Sequence, residues 1–294
     1  MMKSKLRWMV CLGFKSLLLM GSSLYAEEIL TNAPPVIPGL PKWEVGVFGM
    51  ASRVPLYRGS DEYRWYAFPL PYLIYRGDFI QVDKDGVRGL FYKGIRFEVE
   101  LSLSGNPPVK SRGGIREGMP ELDPLIEIGP AARMFLYHGE KIKSVFLEAA
   151  GRGVFSIDMD NLNPGYEGLR GSLSLILAGI KPLPQSKWSA GLKTGLEFSD
   201  RHYNEYFYDV GEASVTPDRP YYHSQGGYGG SFVSAWLSRP IFDGVSVALL
   251  TRWDNVEGAE FEASPLVRAK NSYLVGAGFT WKIAQSQKQV QRLK

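Results

Sequence analysis

Three histidines and two nearby serines are the residues of this chain whose types could support hydrolytic chemistry. An imidazole that accepts a hydroxyl proton activates a serine as a nucleophile, as in lipid hydrolysis. His138 lies in a predicted short turn, and His202 and His223 lie in one long predicted loop, near Ser199 and Ser224. None lies in the middle of a predicted strand, and the sequence has no G-x-S-x-G motif. We therefore expect no catalytic residues and no enzymatic activity.

Two acidic segments carry residue types that bind calcium. One holds Asp158, Asp160 and Asn161, and a DKDG turn holds Asp83 and Asp85. The first segment lacks the glycine and the distal glutamate of a calcium loop. Asp-Gly is common in tight turns because these residues tolerate the turn conformation. We expect neither a metal site nor a cofactor site.

The first 26 residues have the pattern of a secretory signal peptide. A basic start precedes an apolar run at about residues 16–24, which is too short to span a bilayer. Leu24-Tyr25-Ala26 then provides a cleavage site before Glu27. The sequence therefore predicts export across the inner membrane.

Removal of this leader changes what the composition implies. The whole chain has 34 basic and 30 acidic residues. The leader holds no acidic residue and four basic ones, Lys3, Lys5, Arg7 and Lys15. The mature chain then has 30 of each, and its lack of net charge gives no support for binding to nucleic acid. The single cysteine, Cys11, is also lost, so disulfides and thiolate metal sites are not expected.

Alternation of apolar and polar residues recurs along the rest of the chain. It is clearest in the segments Ile95–Leu103, Ala190–Phe198, Val245–Trp253 and Tyr273–Ile283. A period of two residues predicts β-strands with one apolar and one polar face. No apolar run after Ala26 approaches the length of a membrane-spanning helix.

Strand length, aromatic residues and polar faces favour a membrane barrel over a secreted β-sandwich. Most of the predicted strands are about 9–14 residues long, whereas soluble proteins commonly use about five or six and tilted membrane strands need about 9–11. Aromatic residues gather near strand ends, as in the girdles of outer-membrane barrels. The polar faces supply candidate lumen charges, namely Arg96, Glu98, Glu100, Lys193 and Glu197. Because opposite charges would pair inside a narrow barrel, we expect a narrow or plugged lumen.

Connection lengths give the strand count and the orientation. Strands are predicted at residues 43–52, 62–75, 79–83, 87–92, 94–104, 124–137, 141–155, 168–181, 187–199, 229–240, 243–254 and 271–283. Short and long connections alternate, as in bacterial barrels with short periplasmic turns and long extracellular loops. We predict an all-β fold, a single transmembrane antiparallel β-barrel of about 12 strands. Ten strands are the alternative, since the hairpin at 79–92 is short.

The segments outside the predicted barrel, 43–283, would lie in the periplasm. Residues 27–42 form an N-terminal segment, and 284–294 form a polar tail with three basic residues. Such barrels usually end at an aromatic residue, whereas here the tail follows Ile283. We expect a disordered tail; the alternative is a contact with the anionic cell wall or a periplasmic partner.

Two further features leave alternatives open. The predicted loop 200–228 holds six tyrosines and one phenylalanine from Arg201 onward. These residues suit recognition of protein or sugar if exposed, or they pack together over the barrel mouth. Pro69 and Pro71 share one parity in their strand and remove donors along one side, which predicts an irregular or edge-like strand beside the short hairpin.

Several motifs resemble those of the MipA/OmpV family. They are VPLYRGSD at 54–61, FPLPYLIYRGD at 68–78, GMPELD at 118–123, IEIGPA at 126–131 and NSYLVGAGFTWK at 271–282. The motif positions singled out are Pro55, Tyr57, Gly59, Ser60, Asp61, Pro69, Pro71, Tyr75, Arg76, Gly77, Asp78, Gly118, Met119, Glu127, Gly129 and Pro130. The resemblance covers essentially the whole mature chain.

The resemblance implies an outer-membrane β-barrel of a Gram-negative cell envelope, in contact with outer-membrane lipids. The family's named member is a scaffold that links a murein-degrading lytic transglycosylase to a bifunctional peptidoglycan synthase. We therefore expect a scaffold protein with these enzymes as partners. A shared fold does not fix a shared function, and the alternatives are a narrow porin-like channel, an adhesion or stress-related protein, and, less favoured, a lipid-modifying enzyme.

Overall fold

The structure, a computed structural model, describes residues 40–76, 80–83, 86–94, 96–159, 161–182 and 185–290. Several sequence predictions lie outside these residues. They are the signal peptide, residues 27–39 of the N-terminal segment, residues 291–294 of the tail, Gly77, Asp78, Asp85 and Asp160.

Within the described residues, twelve antiparallel strands form a closed barrel in chain order. They are β2 (Trp43–Pro55), β3 (Tyr63–Arg76), β4 (Ile80–Asp83), β5 (Gly86–Lys93), β6 (Phe97–Asn106), β7 (Leu125–His138), β8 (Ile142–Ile157), β9 (Pro164–Ile180), β10 (Ser189–Ser199), β11 (Gly227–Phe242), β12 (Val245–Asn255) and β13 (Asn271–Gln285). The ladder between β13 and β2 closes the barrel. The predicted fold and its twelve strands are confirmed.

The alternating sequence explains which side chains face into the barrel. In β13, Ser272 and Leu274 are buried, whereas Tyr273, Val275 and Phe279 are exposed on the outer surface. The same alternation separates inner and outer faces along β2, β10 and β12. An apolar outer face and a partly polar inner face are what a bilayer-spanning barrel requires.

The strand β3 is an edge along much of its length, as its prolines predict. It pairs with β2 from Tyr63 to Tyr75 but with β4 only at Tyr75 and Arg76. Because proline has no N–H, Pro69 and Pro71 cannot occupy the doubly hydrogen-bonded positions opposite β2, so their missing donors face the β4 side. The missing N–H donors of the two prolines therefore lie on the side of β3 where no described strand pairs with it.

The two ends of the barrel domain pair with each other beyond the barrel. Leu40–Pro41 (β1) and Gln289–Val290 (β14) form a two-stranded sheet. The N–H of Lys42 donates to the carbonyl of Lys288 over 2.8 Å. The expectation of a disordered tail is therefore wrong for residues 284–290. The physical reason is that both ends leave the barrel from the neighbouring strands β2 and β13, so their backbones can continue to pair.

The long connections all lie at one end of the barrel, and the loop predicted at 200–228 contains a helix. Helix α1 (Arg201–Tyr208) begins after Asp200, whose side chain accepts a hydrogen bond from the N–H of Tyr203 over 2.9 Å. A single 3₁₀ turn, Glu212–Ser214, follows. No helix in the described ranges is both long and apolar enough to span a membrane.

Candidate functional site

The long connections pack into a cap with its own hydrophobic core. The buried apolar residues of this core are Tyr57, Val109, Met119, Leu122, Leu125, Val154, Tyr203, Phe207, Tyr208, Val210, Val256, Ala259, Phe261 and Leu266. They come from the β2–β3, β6–β7, β10–β11 and β12–β13 connections and from adjoining strand ends. The cap therefore ties four loops together over the barrel mouth.

Aromatic contacts and hydroxyl hydrogen bonds hold the cap together. The rings of Tyr208 and Phe261 stack with centroids 3.8 Å apart. The Tyr57 hydroxyl donates to the carbonyl of Leu266 over 2.9 Å, and the Tyr208 hydroxyl donates to the carbonyl of Arg58 over 3.0 Å. The tyrosine-rich loop was predicted either to expose its aromatic residues for recognition or to pack them over the barrel mouth. Tyr203, Phe207 and Tyr208 pack over the mouth, whereas Tyr221 is exposed.

Burial also changes the acidity of the cap tyrosines. Burial raises the pKa of Tyr57 to about 12, against a smaller lowering by Arg116. Burial likewise raises the pKa of Tyr203, Tyr206 and Tyr208. All four hydroxyls therefore stay protonated to a higher pH than an ordinary tyrosine, and those of Tyr57, Tyr206 and Tyr208 donate to main-chain carbonyls.

Several family-motif residues shape this cap. Gly59 has φ +88°, a conformation that favours glycine, and its carbonyl accepts from the N–H groups of Arg268 and Ala269 over 2.8 and 3.0 Å. Ser60 is buried, and its hydroxyl oxygen accepts from the N–H of Glu62 over 3.1 Å. Pro55 ends β2, and Gly118 and Met119 lie in the β6–β7 connection. Asp61 lines a surface groove of ≈ 420 Å³ at the edge of the cap.

The remaining described motif residues lie in strands. Glu127, Gly129 and Pro130 belong to β7. A Cβ at Gly129 would lie 2.0 Å from the carbonyl oxygen of Gly151, so only glycine allows β8 to approach there. Tyr75 and Arg76 end β3.

Beneath the cap, Glu197 is the centre of a charged network inside the barrel. Its carboxylate oxygens lie 2.6 Å from a guanidinium nitrogen of Arg58, 2.6 Å from one of Arg170 and 2.8 Å from one of Arg252. Asp254 pairs with Arg58 over 3.0 Å and with Arg252 over 2.6 Å. These acidic groups are almost fully buried.

From Glu197 the network reaches β7 through Arg170, which also contacts Glu127 over 2.8 Å. A second group of ion pairs joins β6, β7, β8 and β10. Glu148 pairs with Arg133 over 2.7 Å and with Lys193 over 3.2 Å. Arg133 reaches Glu100 over 2.7 Å as well. Fixed pairs of opposite charge thus occupy the lumen below the cap.

Three of the five charges singled out from the sequence take part in these ion pairs: Glu197 in the first group, and Glu100 and Lys193 in the second. Glu98 lies nearer the short-turn end of β6, and Arg96 is exposed just before that strand. The sequence pattern did not identify the other lumen charges, namely Arg58, Arg133, Glu148, Arg170, Arg252, Asp254, Glu127 (named only as a motif position) and Arg152, whose guanidinium lies 4.0 Å from Glu127. Most of them occupy strand positions that alternation predicts to face the lumen, and a charged residue at such a position was the signal that could have identified them.

The histidines do not form a serine–histidine pair. His223 contacts Asp209 through Nδ1 over 2.8 Å, and its Nε2 contacts Arg201. The Nδ1 of His138 lies 3.3 Å from the carbonyl of Lys143, and the ring of His202 packs against Tyr166. These hydrogen bonds go to a carboxylate, a guanidinium and a main-chain carbonyl.

His223, Asp209 and Glu205 are also close enough to act as metal ligands. Their ligand atoms lie within 4.8 Å of one another. The Arg201 guanidinium donates to Glu205 over 2.6 Å and contacts His223, so a cationic side chain already neutralises part of this cluster. The group is a partly exposed ion-pair cluster on the cap.

Comparison with known proteins agrees with the fold. The sequence profile of the family described as "MltA-interacting protein MipA" matches residues 45–283. Outer membrane protein Omp26La of Vibrio anguillarum is 23% identical over 275 residues, which cover 91% of this chain and 96% of that protein.

Two solved structures from Pseudomonas aeruginosa are remote likenesses. A FadL homologue is 7% identical, with a TM-score of 0.32, and the match covers 82% of this chain and 90% of that one. The outer membrane protein OprG is 10% identical, with a TM-score of 0.19, and the match covers 84% and 98% of the two chains.

Proposed function

The chain belongs to the MltA-interacting protein MipA family and is an outer-membrane β-barrel protein; from this premise we propose that it is a non-enzymatic scaffold. Its partners would be murein-remodelling enzymes, a lytic transglycosylase and a peptidoglycan synthase, held at the periplasmic face. The family description names an interaction with MltA, and the resemblance of the motifs supplies the second partner.

The observation that supports a scaffold most is the filled barrel. A packed cap covers the extracellular mouth, and ion pairs such as Arg170–Glu127 and Arg133–Glu148 occupy the lumen below it. A solute would have to displace both layers. A filled barrel instead presents rigid turns and paired ends to the periplasm, where murein enzymes work.

Crosslinked capture from outer membranes tests this proposal. The full-length protein, crosslinked in cells, should capture lytic transglycosylases and peptidoglycan synthases. A variant altered at the exposed extracellular residue, Tyr221→Ala, should capture them equally well and is the matched control. If repeated experiments capture neither lytic transglycosylases nor peptidoglycan synthases, the proposal is contradicted.

The paired chain ends are the first periplasmic feature to test. A truncation after Gln285 removes β14 but leaves the ladder between β2 and β13 intact. If the ends hold the partner, the truncated protein folds and loses capture. Unchanged capture of enzymes and unchanged binding to isolated cell wall would assign the contact to the periplasmic turns instead.

A narrow channel is the second candidate, and the polar lumen favours it. Conductance steps of the purified wild-type protein in planar bilayers would support that function. The lipid-modifying alternative requires lipid turnover that is lost in His138→Ala, His202→Ala or His223→Ala. We expect no turnover by the wild-type protein.

A further inference from the structure

A groove of ≈ 420 Å³ lies at the periplasmic end of the barrel, away from the cap and the charged network. It opens between the β9–β10 connection and the end of β11. Six of its lining residues carry the argument: Ser186, Lys187, Trp188, Arg239, Pro240 and Ile241.

The local fold holds the cationic and aromatic groups of this groove together. The pairing of β10 with β11 ends at Ser189 and Ser238, and the two chains diverge beyond that pair. The Arg239 guanidinium lies 5.5 Å from the centre of the Trp188 ring, a cation–π contact. The N–H of Trp188 donates to the Ser186 hydroxyl oxygen over 3.2 Å, which fixes the turn beside the ring.

The groove combines positive charge with an apolar border. Lys187 and Arg239 are both exposed. Ile241 and Phe242 follow directly and are 47% and 72% exposed. An anionic group with apolar chains attached matches this arrangement, since phosphate suits the cations and hydroxyl, and hydrocarbon suits Ile241 and Phe242.

The register of the barrel places the groove at the bilayer surface. Phe242 pairs with Val245, which pairs with Trp281 on the next strand. Trp281 and Ile283 expose 53% and 58% of their surface on the outer face. The β11–β12 turn therefore lies at a depth where the outer face of the barrel is still apolar. A lipid reaches this depth more directly than a soluble polymer does.

We propose that this groove binds the head group of an anionic phospholipid from the periplasmic leaflet. Arg239 and Lys187 contact the phosphate, the Ser186 hydroxyl donates to it, and the acyl chains lie along Ile241 and Phe242. The site is independent of the enzyme partners proposed above.

Native mass spectrometry of the purified full-length protein tests the site. The probes are phosphatidylglycerol and phosphatidylcholine, added at equal concentration to detergent micelles. We expect the wild type to retain phosphatidylglycerol preferentially. A Lys187→Ala/Arg239→Ala variant should lose about tenfold in affinity for it, and Trp188→Ala should lose part of that.

A second double variant, Lys141→Ala/Lys282→Ala, is the matched control, since it removes two positive charges at the same end outside the groove. It should retain phosphatidylglycerol as the wild type does. Thermal unfolding of each variant shows whether the barrel has folded. The single substitution Arg239→Lys keeps the positive charge, and this variant should retain most of the binding to phosphatidylglycerol.

Equal retention of the two lipids by the wild type would overturn the proposal. An equal loss in the groove variant and the control would also overturn it, because net charge alone would then explain binding. If the groove variant instead retained lipid and lost binding to isolated cell wall, the groove would serve an anionic polymer and not a lipid.

Discussion

Glu197 shows how this barrel tolerates charge in its interior. A buried carboxylate is costly, because the free energy lost when its charge is removed from water can exceed the attraction that a single partner provides. Glu197 instead meets the guanidinium groups of Arg58, Arg170 and Arg252 within 2.8 Å. Arg58 is of special interest because it comes from the β2–β3 loop and also joins the cap through its carbonyl.

Arg58→Met should therefore destabilise both the network and the cap. The substitution leaves Glu197 and Asp254 with fewer partners in a buried site, and we expect a loss of about 3 kcal/mol in the free energy of unfolding. Unfolding by denaturant in detergent micelles measures this loss.

The control for that substitution is Arg201→Met, which breaks an exposed pair with Glu205 in helix α1. Its expected cost is about 0.3–0.5 kcal/mol. Equal losses in the two variants would show that the buried network contributes no more than a surface pair.

The buried cap tyrosines predict a stability limit at alkaline pH. The ordinary tyrosine pKa is 10.0, and burial raises that of Tyr57 to about 12. A raised folded-state pKa stabilises the fold fully below pH 10.0, and this contribution is lost as the pH rises toward about 12. The cap should therefore loosen in this range, while the ladder of the barrel persists.

Ultraviolet absorbance of tyrosinate against pH, with limited proteolysis of the cap in parallel, measures this effect. Tyr57→Phe should remove one late-titrating group, whereas Tyr221→Phe, at an exposed position outside the core of the cap, should leave that late-titrating group in place and is the control. Titration of Tyr57 at its ordinary pKa would contradict the buried arrangement.

At the scale of elements, strands were predictable and the cap was not. Alternation in a segment such as Tyr273–Ile283 reports directly on inner and outer faces, so β13 and its neighbours could be placed from sequence. Helix α1 has only eight residues, and a helix so short is stabilised mainly by its packing. Its buried face, Tyr203 and Phe207, contacts loops distant in sequence, which no local pattern reveals.

The N-cap of helix α1 can be tested separately from its packing. Asp200→Ala removes the acceptor for the N–H of Tyr203 and should cost about 1 kcal/mol in helix stability. Hydrogen exchange of the α1 amides should accelerate, while exchange in β10 stays the same. Asp200→Ser preserves a capping oxygen and should behave nearly as the wild type. Unchanged exchange in Asp200→Ala would mean that packing alone sets the helix.

At the scale of the whole molecule, the equal numbers of basic and acidic residues predicted for the chain without its leader have a structural counterpart in the paired charges of the lumen. The network joins cationic and acidic residues across the barrel, and Arg58 and Asp254 are 196 positions apart in sequence. Mixed charges inside the barrel were predictable from the alternating sequence, but their partners were not. Pairing depends on which strands close the barrel and on where the loops enter it, and both are properties of the complete fold.

The cap and the network together predict a barrel that conducts poorly until its mouth is opened. Replacing residues 201–226 with a short glycine–serine linker removes helix α1 and the cap contacts of Phe207 and Tyr208 while sparing β10 and β11. We expect the wild-type protein to show little conductance in planar bilayers and the variant at least about tenfold more, since the remaining ion pairs are then open to water on one side. Shortening the β8–β9 connection, whose residues 161–163 are exposed and contribute nothing to the core of the cap, should leave conductance unchanged and serves as the control. If the wild type conducts as well as the cap variant, the cap does not block the lumen, and the channel function is favoured.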